Sequence, residues 1–467
     1  MKQQEKFNRV SEKFPHVRQP FFARPHATRR EWFKILGAGV TASVLSGNLR
    51  GGVVVDSNPV ATVGKAKNVI FILMAGAPSA VDTFDFKMYD GVTPSDFNPS
   101  KVNGIDWPVG LLPKLATHLP ELAIVRSMRA WAAAHQLSQH WVQIGRNPAA
   151  ALGDIAPNIG SIVAIEKEAE RTPGQVLPSF IGLNADAAIG SGYLSAQYDP
   201  MRLAPSATGI PNTTNPDGQS RFNNKSQLLH KLDGPLRDQA PNGHSFSDWG
   251  AFAGSAESLM YNPDVQRAFN YTTDESTVYG NTSFGNACLL AQKILGANLG
   301  TRFIQIIVGG WDMHQNIYGS GGKGGLYTLG RTFDDGVSAM LADLKTTGQL
   351  DQTLVVFLGE FGRTTGKLTA AAGRDHYLQQ FCGFAGAGVV GGRAIGSTDA
   401  TGNATVDAGW SRQRDVKPED VEATIYSAMG INWTNVRYDD PFGRGFEYVP
   451  FSLKEDRYGP IDELWKA

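Results

Sequence analysis

Cysteine is nearly absent: Cys288 and Cys382 are the only two in 467 residues. Two thiols are too few for a disulfide framework or a thiolate zinc site. Both are expected in the core, with one disulfide left open if the protein is exported. Charge is also scarce, at 19% of residues, and balanced, with 44 Asp and Glu against 43 Lys and Arg and a formal net charge of -1. That balance supplies no field for nucleic acid and no polybasic membrane anchor. Internal repeats and heptads are missing too, which excludes solenoids and coiled coils. What the chain has in quantity is 53 glycines, 25 prolines and 42% hydrophobic residues. These describe tight loops on a buried sheet, in a chain long enough for one large domain or two ordinary ones.

The first 66 residues read as a leader. A basic polar stretch ends in Thr28-Arg29-Arg30-Glu31-Trp32-Phe33-Lys34, and Ile35 to Gly47 (ILGAGVTASVLSG) follows as a small-residue apolar segment. This resembles a twin-arginine signal, so the protein is expected to be periplasmic or secreted. The 13-residue segment is too short to cross about 30 Å of hydrocarbon, so no integral anchor is expected after signal removal. Ala61 and Ala66 both stand as cleavage sites, and the mature domain is expected to begin at Lys67.

From there strands alternate with helices. Apolar runs predict strands at Asn68 to Met74, Leu122 to Met128, Ser179 to Leu183, Arg302 to Val308 and from Thr353 to Leu358. Helical spacing covers Leu111 to His118, Trp131 to Arg146, Ile159 to Glu170, Phe284 to Leu299, Tyr327 to Thr347 and Pro418 to Met429. The fold class that follows is α/β, a doubly wound, mostly parallel sheet with helices on both faces. From about 184 to 281 the pattern weakens into glycine, asparagine, serine and proline, read as a loop-rich insertion.

The chemistry gathers where strands end. One run stops on Gly359-Glu360-Phe361-Gly362-Arg363 and leads to Gly373-Arg374-Asp375-His376; another stops on Gly309-Gly310-Trp311-Asp312-Met313-His314. Open α/β sheets bind ligands at such ends. Asp82, Asp85, Asp312, His314, Glu360, Asp375 and His376 offer carboxylate oxygens and imidazole nitrogens, which suit a divalent metal. Zinc is the first choice, with calcium, magnesium and manganese open. Arg363 and Arg374 suit a bidentate clamp on an anion. Plainer roles stand beside these: Asp82 and Asp85 ordering a turn, and Glu360 pairing with Arg363. His135 and His140 lie five apart on a helix and diverge by roughly 140°, so they form no metal pair. Ser138 is either a nucleophile or an ordinary helix serine.

These motifs, with Asn68 to Asp85, Gly391-Gly392-Arg393-x-Ile395-Gly396-x-Thr398-Asp399 and Asp420 to Tyr426, resemble the exported bacterial family called domain of unknown function 1501. The likeness covers nearly the whole mature chain. The family is grouped with the alkaline-phosphatase and sulfatase superfamily. That implies an alkaline-phosphatase-like fold and a metal-dependent hydrolase of phosphate or sulfate esters, acting on a small-molecule or glycan ester. Residue by residue, the superfamily's two acids after the first strand fall on Ala75-Gly76, with Asp82 or Asp85 further along. Its nucleophile, counted back from Gly145-Arg146, falls on His135, and a supporting serine on Ser138. Its Asp-His pair falls on Glu360-Phe361, its Asp-x-x-x-His site near Asp312 and His314, and its last metal histidine on His376. The alternative is a non-catalytic exported protein that keeps the fold and binds an anionic glycan or a cell-envelope partner. The oligomeric state is not legible.

Overall fold

The computed structural model describes residues 55–239, 253–319 and 324–466. The twin-arginine stretch lies outside the described residues. Its neighbours do not: Val55–Asp56 pairs with Val436–Arg437, and the Ala66 amide donates to the Ala428 carbonyl. The folded chain therefore includes residues before Lys67.

The centre is an eight-stranded sheet. Its strands, numbered here in chain order, are β1 (Asn68–Met74), β2 (Leu122–Arg129), β3 (Phe180–Leu183), β4 (Met201–Leu203), β5 (Phe303–Val308), β6 (Thr353–Leu358), β7 (Gln379–Ala385) and β8 (Arg393–Ile395). They lie in the spatial order β8-β2-β7-β6-β1-β5-β3-β4. Every neighbouring pair is parallel except the two made by β7, which runs antiparallel to β2 and β6.

All seven residues of β1 are buried, as a parallel strand covered on both faces requires. Because side chains alternate across a strand, Ile70, Ile72 and Met74 enter one core and Val69, Phe71 and Leu73 the other. The first core is closed by α3 (Ser283–Ala297) and α4 (Gly325–Thr346), the second by α1 (His135–Ile144), α2 (Ile159–Glu166) and α5 (Pro418–Ala428). Each fully buried Ile, Leu or Phe contributes roughly 2 kcal/mol, so two such layers hold the sheet rigid beneath its loops. Cys288 and Cys382 are free and buried, one in each core, which removes the disulfide alternative. Among the described residues the 184–281 stretch holds β4, Gln219–Gln239, Pro263–Phe269 and Thr273–Val278. No described helix is long and apolar enough to cross a membrane.

The direction of β7 positions the site. Without a crossover helix between β6 and β7, residues 359–378 must turn back at the carboxyl edge of the sheet. β2 runs parallel to β6 and ends beside the start of β7, with Arg129 opposite Gln379. The chain leaving β2 therefore reaches the same edge as the 359–378 loop. The helix expected from Trp131 begins only at His135, because Ala134 is extended at φ -125° and ψ 117°.

Candidate metal centre

Four strand ends meet at this edge. β1, flanked in the sheet by β5 and β6, ends at Met74 and turns at Ala75 and Gly76. The loop after β5 crosses Gly76 so closely that a Cβ there would lie 2.5 Å from the Asp312 amide nitrogen, and Gly76 holds φ +106°. Only glycine meets both conditions without strain. The loop after β6 is laid against the same β5 loop. A Cβ on Gly373 would fall 2.0 Å from the His314 carbonyl carbon, and the Arg374 amide donates to the Met313 carbonyl at 3.0 Å. Within the β6 loop, Arg363 pairs with His376 in a short antiparallel ribbon.

This stitching gathers His135, Asp312, His314 and His376, with one ligand atom from each lying within 4.8 Å of all the others. Asp312 Oδ1 is 3.2 Å from His135 Nε2, 3.0 Å from His314 Nε2 and 3.7 Å from His376 Nε2. The Nε2 atoms of His314 and His376 are 3.0 Å apart. The outer nitrogen of each ring is held from behind. His135 Nδ1 meets Glu360 Oε1 at 2.6 Å, His314 Nδ1 meets Asp375 Oδ1 at 2.8 Å and His376 Nδ1 meets the Ala133 carbonyl at 2.8 Å. A carbonyl or carboxylate oxygen accepts from a proton on Nδ1, and the tautomer with its proton there turns the lone pair of Nε2 inward. Lone pairs 3.0 Å apart repel unless a positive charge lies beside them; Arg363 Nη1, 3.4 Å from His314 Nε2, supplies part of that charge, and a metal ion between the rings would supply the rest. His135 Nε2 is buried and has no hydrogen-bond partner, an orphan that a metal ion would satisfy. Phe361 packs against His135 and His376 with centroids 4.7 Å from each, which limits how far the rings can turn.

Glu360 is fully buried. Besides His135 it accepts from the Gly76 amide at 2.9 Å, the Ala77 amide at 3.1 Å and Gln139 Nε2 at 2.9 Å. It therefore orients His135 instead of facing the centre. Asp375, 61% exposed, does the same for His314 at the rim. Outer groups of this kind fix tautomer and ring orientation in metal sites. Burial alone would raise the Asp312 carboxyl, but the Arg363 hydrogen bond and charge hold it below the usual carboxylate range.

The remaining candidates from the sequence lie elsewhere or are engaged. Asp82 is buried against Arg374, which donates to it at 2.7 and 3.1 Å, with Tyr318 at 2.8 Å and Ser79 at 2.6 Å completing its shell. That ion pair ties the loop after β1 to the Gly373 loop and leaves Asp82 outside the cluster. Arg374 also donates to the Thr364 and Gly366 carbonyls. Arg363 donates to Asp312 Oδ1 at 2.6 Å and to the carbonyls of Gly76, Ala77 and Arg374. Neither guanidinium is presented as a clamp: both are buried and occupied by the protein. Asp85 pairs with Lys87 and Arg126. Ser138 is buried and donates to the Ala132 carbonyl at 2.9 Å, so its hydroxyl is not among the converging groups.

Sequence reasoning assigned His135 to the nucleophile's place and left out Gln139, the Ala133 carbonyl and the Gly76 and Ala77 amides. The signal that was available is the Ala75-Gly76 strand end, where no acid stands and the amides of Gly76 and Ala77 donate to Glu360 instead. Nothing in local spacing reveals that His135, without His140, turns into the cluster.

The family described as Protein of unknown function (DUF1501) matches residues 66–449. No curated protein matches the chain in sequence. Among solved structures, the PsFucS1 sulfatase from Pseudoalteromonas sp. is similar at 13% identity and a TM-score of 0.39, covering 79% of this chain and 68% of that one. The lipoteichoic acid synthase LtaP from Listeria monocytogenes is similar at 12% and 0.38, covering 85% and 79%. A protein in the alkaline phosphatase superfamily from Vibrio parahaemolyticus is similar at 11% and 0.34, covering 80% and 69%.

Proposed function

The chain belongs to the DUF1501 family, and from that membership and its histidine cluster we propose that it is an exported, metal-dependent hydrolase of phosphate or sulfate esters. The observation that carries this is the gathering of three imidazole nitrogens and an Asp312 oxygen within 4.8 Å of one another, each ring held from behind through Nδ1. The spacing admits a small divalent ion such as zinc. A tetrahedron with ligand bonds near 2.0–2.1 Å has edges of about 3.3–3.4 Å; four of the six donor separations run from 3.0 to 3.7 Å, and all six lie within 4.8 Å. Three nitrogens and one oxygen also suit zinc better than calcium or magnesium, which prefer oxygen throughout. A bound ion of this kind supplies Lewis acidity to an ester oxygen and acidity to a water.

The protein's own groups do the rest. Asp312 offsets the positive charge, and at 47% exposure it leaves the cluster open to a substrate from solvent. Ala77, Ala130 and Phe361 form a small apolar cluster, whose Phe361 ring packs against His135 and His376. The ester class comes from the superfamily resemblance, and export to the periplasm or beyond from the twin-arginine stretch. A second reading, a non-catalytic exported binding protein, is favoured by one observation: Ser138, Arg363 and Arg374 are all engaged within the protein.

Elemental analysis of the purified protein, followed by a panel of chromogenic phosphate and sulfate esters, tests both. The hydrolase reading expects one divalent ion per chain and turnover abolished by Asp312→Ala and by His376→Ala. Metal without turnover on any ester supports the binding protein, and absence of metal sinks the centre itself.

A further inference from the structure

A cavity of about 530 Å³ lies beside α1, walled by Trp131, Trp141, Arg146, Glu419, Tyr438 and Phe451 among others. It is separate from the histidine cluster but joined to it by chain: Trp131 stands two residues before Ala133, whose carbonyl holds His376. Its floor is polar and buried. The Trp131 and Trp141 indoles lie nearly parallel, 6.3 Å apart, and both donate Nε1–H to the Glu419 carboxyl at 3.0 to 3.1 Å. Arg146 is 7% exposed; its Nη2 reaches the Tyr448 carbonyl at 2.9 Å and the Glu447 carbonyl, while its Nε is buried without a partner. The rim is aromatic and basic. Trp131, Tyr438 and Phe451 are each at least 40% exposed, and Arg444 and Lys454 complete the wall.

These features select one ligand chemistry. A wholly apolar ligand would leave Arg146 Nε still without an acceptor and the basic Arg444 and Lys454 of the wall unmatched. A cation would face Arg146, Arg444 and Lys454, which outnumber the Glu419 and Glu447 carboxyls in the wall, with the Lys417 ammonium 4.2 Å from the Trp131 ring centroid. We propose that the cavity binds an acidic saccharide. The exposed aromatic faces take the C–H face of a pyranose ring, the Glu419 carboxyl takes a ring hydroxyl, and Arg146, Arg444 and Lys454 take a carboxylate or sulfate substituent.

The test is calorimetry and tryptophan fluorescence on the full chain with three probes: a galacturonic acid hexamer, an oligomer of galactose 4-sulfate and a neutral glucose hexamer. Saturable binding of at least one acidic oligomer is expected, about tenfold tighter than the neutral one. Trp131→Ala and Arg444→Ala should each weaken it by about tenfold, the scale of one aromatic or charge-assisted contact. If Trp131→Ala does not fold, the exposed Tyr438→Ala and Lys454→Ala variants decide. Absence of saturable binding to both acidic oligomers, equal affinity for the neutral one, or affinity unmoved by the variants overturns the proposal. Binding is read rather than turnover, so failure of the hydrolase reading would leave this result standing.

Discussion

Replacing Glu360 by Gln probes whether the outer shell governs the centre. The carboxylate is fully buried and faces donors only. Oε1 accepts from Gly76 N at 2.9 Å, Gln139 Nε2 at 2.9 Å and His135 Nδ1 at 2.6 Å, while Oε2 accepts from Ala77 N at 3.1 Å and Gly76 N at 3.2 Å. An amide has one oxygen and one NH2, so either orientation turns a donor toward a donor. With the oxygen kept on His135, the Ala77 amide loses its acceptor, a penalty of about 1–3 kcal/mol in apo-protein stability. With the oxygen on Ala77, His135 loses its anchor. In both cases the imidazole loses the full negative charge that raises its basicity, and outer-shell changes of this kind cost about 10–100-fold in metal affinity, or about 1.4–2.8 kcal/mol. Competition for zinc against a chromophoric chelator reads the affinity, and urea denaturation in chelator reads the apo-protein stability. Asp375→Asn is the internal comparison: that carboxylate is 61% exposed, water can replace it, and its loss should fall at or below the low end of the same range. If Glu360→Gln binds zinc as tightly as the parent, the three imidazoles do not form an oriented metal site.

Three further outcomes are expected. Gly76→Ala places a Cβ 2.5 Å from the Asp312 amide at φ +106° and should destabilise the fold by about 2 kcal/mol or more; an unchanged urea midpoint would show that the two loops are not in close approach. Asp82→Asn leaves the buried Arg374 guanidinium without its counter-charge and should destabilise by about 3–5 kcal/mol, measured by the same denaturation; a change under about 1 kcal/mol would mean that the pair is solvated. Burial holds the Glu419 carboxyl up at about 7 against 4.5 in the unfolded chain, although the two indoles pull it down. Below pH 4.5 both states are protonated; between there and pH 7 only the unfolded state ionises, so stability falls as pH rises and then levels off. The Glu419→Gln variant lacks this loss and should gain on the parent by up to about 3 kcal/mol across that window. Parallel pH profiles for the two proteins would refute the buried placement.

The sheet and its helices were legible because their signals are local. A run such as Asn68 to Met74 is apolar at every position because both faces of β1 are covered, and the helical spacing from Tyr327 to Thr347 needed only its own apolar stripe, now α4 packed on one core. The acid and histidine pairs after β5 and β6 were visible for the same reason, as were the glycines that let those loops pass. The division between inner and outer groups was not. Asp312, Glu360 and Asp375 are all acids at strand ends, and which of them faces the centre is decided by approaches of about 3 Å between residues as far as 284 positions apart. His135 entered the cluster only because β7 runs antiparallel and brings the end of β2 to the edge where the other loops meet. Sequence by itself set the residue types and the strands that carry them; the folded backbone chose which lone pairs converge, since hydrogen bonds depend on angstroms and no periodicity encodes a distance between separate loops.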